Sequence, residues 1–316
     1  MTKSTEIPFS KKLVSIICPC FNESKALDHF FSEIMEEISP LPYDFEILCI
    51  NDGSTDNTLE KLRQIKQSVH NLRIINLSRN FGKEAALSAG IDQAKGDYLI
   101  PIDVDLQDPP QLINRLLAKA EEGYDTVLAK RVDRSSDTKA KRVSATLFYK
   151  LHNKVSKNTI PENVGDFRLI TRRVAESIKA LPENQRFMKG IFAWVGFSST
   201  TIEYVREKRI SGESKFSPWR LWNFALDGIT SFSTVPLRIW TYIGMFISGM
   251  AFFYGFLIII KTLFFSVDVP GYASLLTSIL FLGGIQLMSI GVLGEYIGRI
   301  YMESKKRPSY IIEDEY

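Results

Sequence analysis

Apolar and polar positions alternate in blocks along the N-terminal third of the chain. Leu13-Val-Ser-Ile-Ile-Cys-Pro-Cys20 predicts a buried strand, followed by Phe21-Asn-Glu-Ser24, which ends it and can cap a helix over roughly residues 25–39. Phe45-Glu-Ile-Leu-Cys-Ile50 predicts the next strand; it stops at Asn51-Asp-Gly-Ser-Thr-Asp56, before a helix with Leu59, Leu62 and Ile65 on its apolar face. Arg73 to Leu77 is a third strand, after which Asn80-Phe-Gly-Lys-Glu84 opens a small-residue helix through Ala85, Ala86, Ala89 and Gly90. A fourth strand, Tyr98 to Ile102, runs into Asp103, Asp105 and Asp108 and is closed by Pro109 and Pro110. Strands alternating with helices predict an α/β fold, a mainly parallel sheet with helices on both faces, whose ligands sit beyond the carboxyl ends of the strands.

The pattern continues with a helix over Leu112 to Ala120, a strand from Asp125 to Arg131 ending in Lys130 and Arg131, and a helix over Ala140 to Ser156. In Val164-Gly-Asp-Phe-Arg-Leu-Ile170, Asp166 and Arg168 alternate with apolar neighbours and so point to one side. From Pro218 the composition changes. Trp219 to Phe232 mixes aromatic and aliphatic residues with Arg220 and Asp227, as suits a helix lying in a bilayer interface. Ile239 to Ile260 and Val269 to Gly294 carry no charge, and each meets the requirement of about 20 residues for crossing a hydrocarbon core. Lys215, Arg220 and Arg238 precede this hairpin and Arg299, Lys305, Lys306 and Arg307 follow it, whereas its connection has only Lys261 and Asp268. Both termini are therefore expected on the cytoplasmic side of a multi-pass protein. The expected organisation is a cytoplasmic domain over 1–214, interfacial helices over 215–236, and transmembrane helices within 237–301, at about 239–263 and 272–296, followed by a tail over 302–316. Gly283, Gly284, Gly291 and Gly294 permit close helix packing, within the hairpin or in a homo-oligomer.

Charge adds little: 39 basic against 36 acidic residues give a net +3, which points to no nucleic-acid partner. Cys18, Cys20 and Cys49 are odd in number, lie in predicted strands and lack metal spacing, so they read as core thiols in a reduced compartment. Lys3, Lys11 and Lys12 precede only a short apolar run, and no cleaved signal peptide is expected.

Each strand end brings polar groups to one edge: Pro19, Asn22 and Glu23, then Asp52 and Asp56, then Lys83, then Asp103 and Asp105. An Asp-x-Asp alone is commonly a solvated turn; its recurrence beside three other polar strand ends is what points to a site. By strand alternation Asp103 and Asp105 project to one side and can share a hard divalent cation, with Gln107 on the same face. Glycine-rich phosphate loops are absent, so phosphates would be held through a metal.

Val14 to Glu23, Asn51 to Asp56, Asn80-Phe-Gly-Lys83 and Asp103-Val-Asp-Leu-Gln-Asp-Pro109 resemble the nucleotide half of the inverting glycosyltransferases of family 2. Asn163-Val-Gly-Asp-Phe-Arg168, Phe187 to Gly196, Gly212-Glu-Ser-Lys215 and Gly294-Glu-Tyr-Ile-Gly-Arg299 narrow the likeness to polyisoprenyl-phosphate glycosyltransferases, of the bactoprenol glucosyltransferase group. The resemblance implies a GT-A fold and transfer of glucose from UDP-glucose to undecaprenyl phosphate at the bacterial inner membrane, for modification of O-antigen or cell envelope. It implies that Pro19, Asn22, Glu23, Asp52 and Lys83 contact the uridine nucleotide, and that Asp103 and Asp105, flanking Val104, hold Mg²⁺ or Mn²⁺ against the diphosphate, with Gln107 beside them. Arg131 would meet phosphate; Asp166, with Arg168, would act at the acceptor as base or positioning group; Arg209 and Lys215 are candidates for the acceptor phosphate. Where the family more often has Ile-Pro-Val-Tyr, this chain has Cys18-Pro-Cys-Phe21, which leaves the ring contact to the base to Phe21. Phe187, Trp194 and Trp219 read as packing or interfacial residues. The same chemistry with mannose or a formamido-arabinose, and a non-catalytic nucleotide-sensing membrane adaptor, are the alternatives. A processive polysaccharide synthase is disfavoured by the missing Gln-x-x-Arg-Trp pattern.

Overall fold

The computed structural model describes residues 11–132, 164–183, 186–205, 235–264 and 271–316. The apolar runs read from the sequence form the core of one sheet. β1 (Leu13–Cys20), β2 (Asp44–Asn51), β3 (Leu72–Leu77) and β4 (Tyr98–Pro101) pair in parallel, in the order β4-β1-β2-β3. β6 (Val164–Thr171) is antiparallel to both β4 and β5 (Thr126–Arg131), and β7 (Ser199–Tyr204) extends the sheet parallel to β5. The eight-stranded order is β7-β5-β6-β4-β1-β2-β3-β8, where β8 (Ile312–Glu315) runs antiparallel to β3.

One face is covered by α1 (Leu27–Ile38), α2 (Thr58–Lys66) and α4 (Leu112–Glu121), through Phe30, Ile34, Leu62, Ile113 and Leu116. The other carries α3 (Lys83–Gln93), α5 (Arg172–Lys179) and α6 (Met188–Trp194). The small residues of α3 let it lie close to the sheet: a Cβ added at Gly90 would come within 2.2 Å of Ile17 Cγ2. Such close packing brings the N-terminus of α3 directly over the strand ends. Cys18, Cys20 and Cys49 are free and buried, as expected of core thiols.

Three local expectations are corrected. Helix α1 begins after Ala26 without a side-chain cap, because Ser24 Oγ donates instead to Asp56 Oδ2 at 2.7 Å. Strand β4 ends at Pro101, so Asp103 and Asp105 stand in a turn in which Leu106 adopts φ 54°, and strand alternation does not set their directions. The C-terminal segment is not a free tail. Helix α8 (Tyr272–Ser304) extends past the boundary expected at 301, and β8 then joins the sheet edge. Helix α7 (Val235–Phe264) precedes it, and both helices leave large apolar side chains exposed, among them Phe246, Phe253, Leu287 and Ile290. Among the described residues one helical segment, Phe281–Ser304, is long and apolar enough to cross a membrane, and it lies further along the chain than the 272–296 read from the sequence. The predicted helices at Ala140 to Ser156 and Trp219 to Phe232 fall outside the described residues.

Candidate active site

The carboxyl-end loops are tied to one another in series. Asn22, at φ 57°, accepts the Thr55 N–H at 2.8 Å and the Asp56 N–H at 3.3 Å through Oδ1, and its own N–H donates to Ser54 Oγ at 3.0 Å. The Glu23 N–H donates to Thr58 Oγ1 at 2.9 Å. Burial pushes the Asp56 carboxyl up, but hydrogen bonds from Thr58 and Ser24 outweigh it and leave Asp56 below the usual carboxylate range. Asp52 then joins the second loop to the third: its two oxygens accept the N–H groups of Phe81 at 2.7 Å and Gly82 at 2.9 Å. Burial raises its carboxyl despite those bonds. Gly53 makes the approach possible, with φ 60° and its Cα so close to the Arg79–Asn80 backbone that a Cβ would come within 2.4 Å. Pro19 stands in β1 opposite Ile50, and the Phe21 ring beyond it is exposed.

Lys83, in the first turn of α3, is the centre of the crevice. Its Nζ lies 2.8 Å from both oxygens of Asp103 and 2.9 Å from Asp166 Oδ2. Burial works against its charge, but the two carboxylates prevail and hold the ammonium well above its ordinary value. Burial likewise works against ionised Asp166, and Lys83, Lys189 and Arg168 together hold it well below the usual carboxylate range. Both groups are thus charged at neutral pH. Asp166 and Arg168 share a face of β6, as alternation requires, yet the partner of Asp166 is Lys83. The Arg168 guanidinium instead donates to the Gly165 carbonyl at 2.6 Å and to that of Asp166 at 3.4 Å, and stacks 4.1 Å from the Phe192 ring centroid.

In the acidic turn, Asp105 Oδ1 accepts the Gln107 N–H at 3.2 Å while the Gln107 and Asp108 side chains are buried. Tyr204 donates its hydroxyl to Asp108, and Arg131 lies against the same hydroxyl. The Nε of Arg131 is buried without a hydrogen-bond partner among the described residues. Hard carboxylate oxygens on Asp103 and Asp105 suit a divalent cation that takes its remaining ligands from phosphate and water and displaces the Lys83 ammonium from Asp103, while the orphaned Arg131 N–H suits a phosphate oxygen. Among the described residues no group of three or more His, Cys, Asp and Glu side chains could hold a metal by itself. Arg209 and Lys215 lie outside the described residues.

Two residues were missed in the sequence. Glu84 follows Lys83, and its Oε2 accepts the Met188 N–H at 3.0 Å. Burial, with the charge of Asp166 adding to it, pushes the Glu84 carboxyl up to about 7. Lys189, on α6, is close enough to act on both Asp166 and Glu84. The Lys83-Glu84 pair and the Phe187-Met-Lys189 run were legible as motifs, but neither shows in one dimension that α6 closes over α3.

A family model for glycosyl transferase family 2 matches residues 15–179, and one for the GtrB C-terminal hairpin matches residues 235–300. The chain is 56% identical over 302 residues to a bactoprenol glucosyl transferase of Shigella phage SfV, covering 96% of this chain and 98% of that one. It is 55% identical over 300 residues to a prophage bactoprenol glucosyl transferase homolog of Escherichia coli (strain K12), with 95% and 98% covered. It is 53% identical over 301 residues to an uncharacterized glycosyltransferase of Synechocystis sp., with 95% of each covered. With a GT-A-type sheet, a charged crevice at its strand ends and these matches along nearly its whole length, the chain belongs to glycosyl transferase family 2 and carries a GtrB-type C-terminal hairpin.

Proposed function

We propose that the protein transfers glucose from UDP-glucose to undecaprenyl phosphate, with inversion at the anomeric carbon, on the cytoplasmic face of the bacterial inner membrane. The observation that carries this reading is the 56% identity to a bactoprenol glucosyl transferase, maintained over 96% of the chain and so through both the crevice and the hairpin. The hairpin would hold the crevice near lipid headgroups, spanning the bilayer twice with both termini inside. In this reading residues 1–214 are the cytoplasmic catalytic domain, 215–236 the interfacial helices and 237–301 the membrane hairpin.

Pro19, Asn22, Glu23 and Asp52 would line the uridine side, where the linked loops give them fixed positions. Asp103 and Asp105 would hold Mg²⁺ or Mn²⁺, which when bound supplies positive charge against the departing diphosphate. Val104 and Gln107 shape that turn, and Arg131 offers its Nε to a phosphate oxygen. Lys83 offsets the repulsion between Asp103 and Asp166, letting two carboxylates flank one reaction centre. A lipid monophosphate, with a second pKa of about 6, is already mostly ionised and needs little help as a nucleophile. Asp166, held ionised, then orients the acceptor rather than taking a proton from it, with Arg168 bracing the strand that carries it. The phosphate oxygen forms its bond to the anomeric carbon from the face opposite the bond to UDP, which breaks with both electrons leaving on the diphosphate.

The test is a donor panel incubated with undecaprenyl phosphate and the full-length protein in detergent, the lipid product being separated and counted. Glucose from UDP-glucose should appear on the lipid, with transfer reduced to background by EDTA and by Asp103→Ala. Transfer of another sugar would replace glucose with one of the alternatives; no transfer from any donor would leave a nucleotide-sensing adaptor. Activity retained in EDTA would overturn the metal role.

A further inference from the structure

Three side chains in line connect the C-terminal strand to the loop after β2. Asn51 closes β2, Asn76 lies opposite it in β3, and both are buried. Asn51 Nδ2 donates to Asn76 Oδ1 at 2.7 Å, and Asn76 Nδ2 donates to Glu313 Oε2 at 2.8 Å. Glu313 reaches that position because the pairing of β3 with β8 skips it: Asn76 opposes Asp314, and Leu77 opposes Ile312. In unbroken pairing Glu313 would oppose Leu77 and point to the other face of the sheet from Asn76, so the bulge is what re-aims it. At the inner end Asn51 Oδ1 accepts the Ser54 N–H at 3.4 Å, and Ser54 Oγ accepts the Asn22 N–H at 3.0 Å. The line thus starts on the strand that follows α8 and ends in the loops after β1 and β2.

The direction of these hydrogen bonds is set from the outer end. A side-chain amide has one accepting end and one donating end, whereas a carboxylate has acceptors only. Glu313 therefore draws the Asn76 NH2 group, which turns Asn76 Oδ1 toward Asn51; Asn51 must then present its own NH2 group, and that leaves its Oδ1 for the Ser54 N–H. With Glu313 removed, the Asn76 amide can turn over, and Asn51 has to follow. The Asn51 NH2 group would then face the Ser54 N–H, two donors against each other with Asn51 buried. Ser54 would lose its tie where its hydroxyl holds Asn22, two positions after Asp52 takes the Phe81 and Gly82 amides. We propose that Glu313 is a positioning residue for the sugar nucleotide: through Asn76 and Asn51 it fixes the loops after β1 and β2 in the arrangement that receives it. This rests on those loops binding a uridine nucleotide, as in the proposed function, and adds to them a residue from the far end of the chain.

The full-length protein in detergent micelles is assayed with UDP-glucose and undecaprenyl phosphate as wild type, Glu313→Ala, Glu313→Gln, Asn76→Ala and the double variant Glu313→Ala with Asn76→Ala, at a temperature below every thermal midpoint. Glu313→Ala should raise the KM for UDP-glucose about fivefold and leave the lipid KM unchanged. Glu313→Gln, which can still offer a carbonyl oxygen to Asn76, should recover most of that loss. Asn76→Ala should raise the same KM, and the double variant should be no worse than Asn76→Ala, since Glu313 acts through Asn76. An unchanged UDP-glucose KM in Glu313→Ala, an equal rise in both KM values, no recovery in Glu313→Gln, or a double variant whose losses multiply would each overturn the role of Glu313. If the wild type transfers no glucose, the proposed function fails by itself, and hydrogen exchange then decides the positioning without substrate. Faster exchange of the Asn22 and Ser54 amides in Glu313→Ala than in wild type and Glu313→Gln supports it, and equal exchange rejects it.

Discussion

Single side chains at the crevice work through their neighbours' charges. Lys83, its side chain still partly exposed, and Asp166 each hold the other ionised, so neither is available as a proton carrier at neutral pH. Glu84 differs, because burial brings its carboxyl to about 7. In the unfolded chain that group titrates near 4.5, so between these values the folded state keeps a proton that the unfolded state has lost. The stability it contributes is complete below 4.5 and is lost as pH rises through 7. Asp166 acts with the opposite sign: its contribution is lost only as pH falls well below the usual carboxylate range. Glu84→Gln keeps an acceptor for the Met188 N–H and removes the titration. Thermal midpoints measured from about pH 5 to pH 8 should fall with rising pH more steeply in the wild type than in the variant; parallel curves would place Glu84 in an ordinary environment.

Among the elements, the loops after β1, β2 and β3 form one connected unit, and its tightest point is Gly53. Any side chain there must adopt φ 60° and push into the Arg79–Asn80 backbone. Gly53→Ala should cost about 2–4 kcal/mol from conformational strain and overpacking together, read as a lowered denaturation midpoint. It should also weaken UDP-glucose binding, since Asp52 reaches the Phe81 and Gly82 amides from the adjoining position. A second element with consequences is β8. Tyr316 exchanges both backbone hydrogen bonds with Ile74 at 2.9 Å, and Glu315 pairs at 2.6 Å with Arg73, which also pairs with buried Glu46 at 3.1 Å. The strand covers an edge that would otherwise display unpaired amides. Deleting 312–316 should lower the thermal midpoint by several degrees and promote aggregation, measured by light scattering on heating. An unchanged midpoint would mean that β8 contributes nothing to stability.

For the whole molecule, β8 makes the sheet hold the far end of the hairpin: α8 ends at Ser304, and eight residues on the chain pairs with β3. The far end of the hairpin is therefore tied to the sheet edge. Since the native cysteines are buried, single cysteines report topology cleanly. In spheroplasts, a membrane-impermeant maleimide should label Asp268→Cys from outside and Lys306→Cys only after permeabilisation; equal labelling of both in intact spheroplasts would reject two crossings. The strands β1 to β4, helices α2 to α4 and the acidic turn were legible in the sequence because their signals are local: apolar runs, small residues and turn formers within a few positions of each other. Asp103, Lys83 and Asp166 were legible as candidates for the same reason. Their joining through one ammonium was not, since it depends on how closely Gly90 lets α3 approach β1. Nor did the chain show locally that Ser24 would serve Asp56, that Glu84 would accept the Met188 N–H across two helices, or that Ile312 to Glu315 would pair with a strand far upstream. Periodicity determines which segments can be buried, whereas contacts between segments exist only once packing has brought distant residues together, and it was packing that decided the arrangement of charges in the crevice.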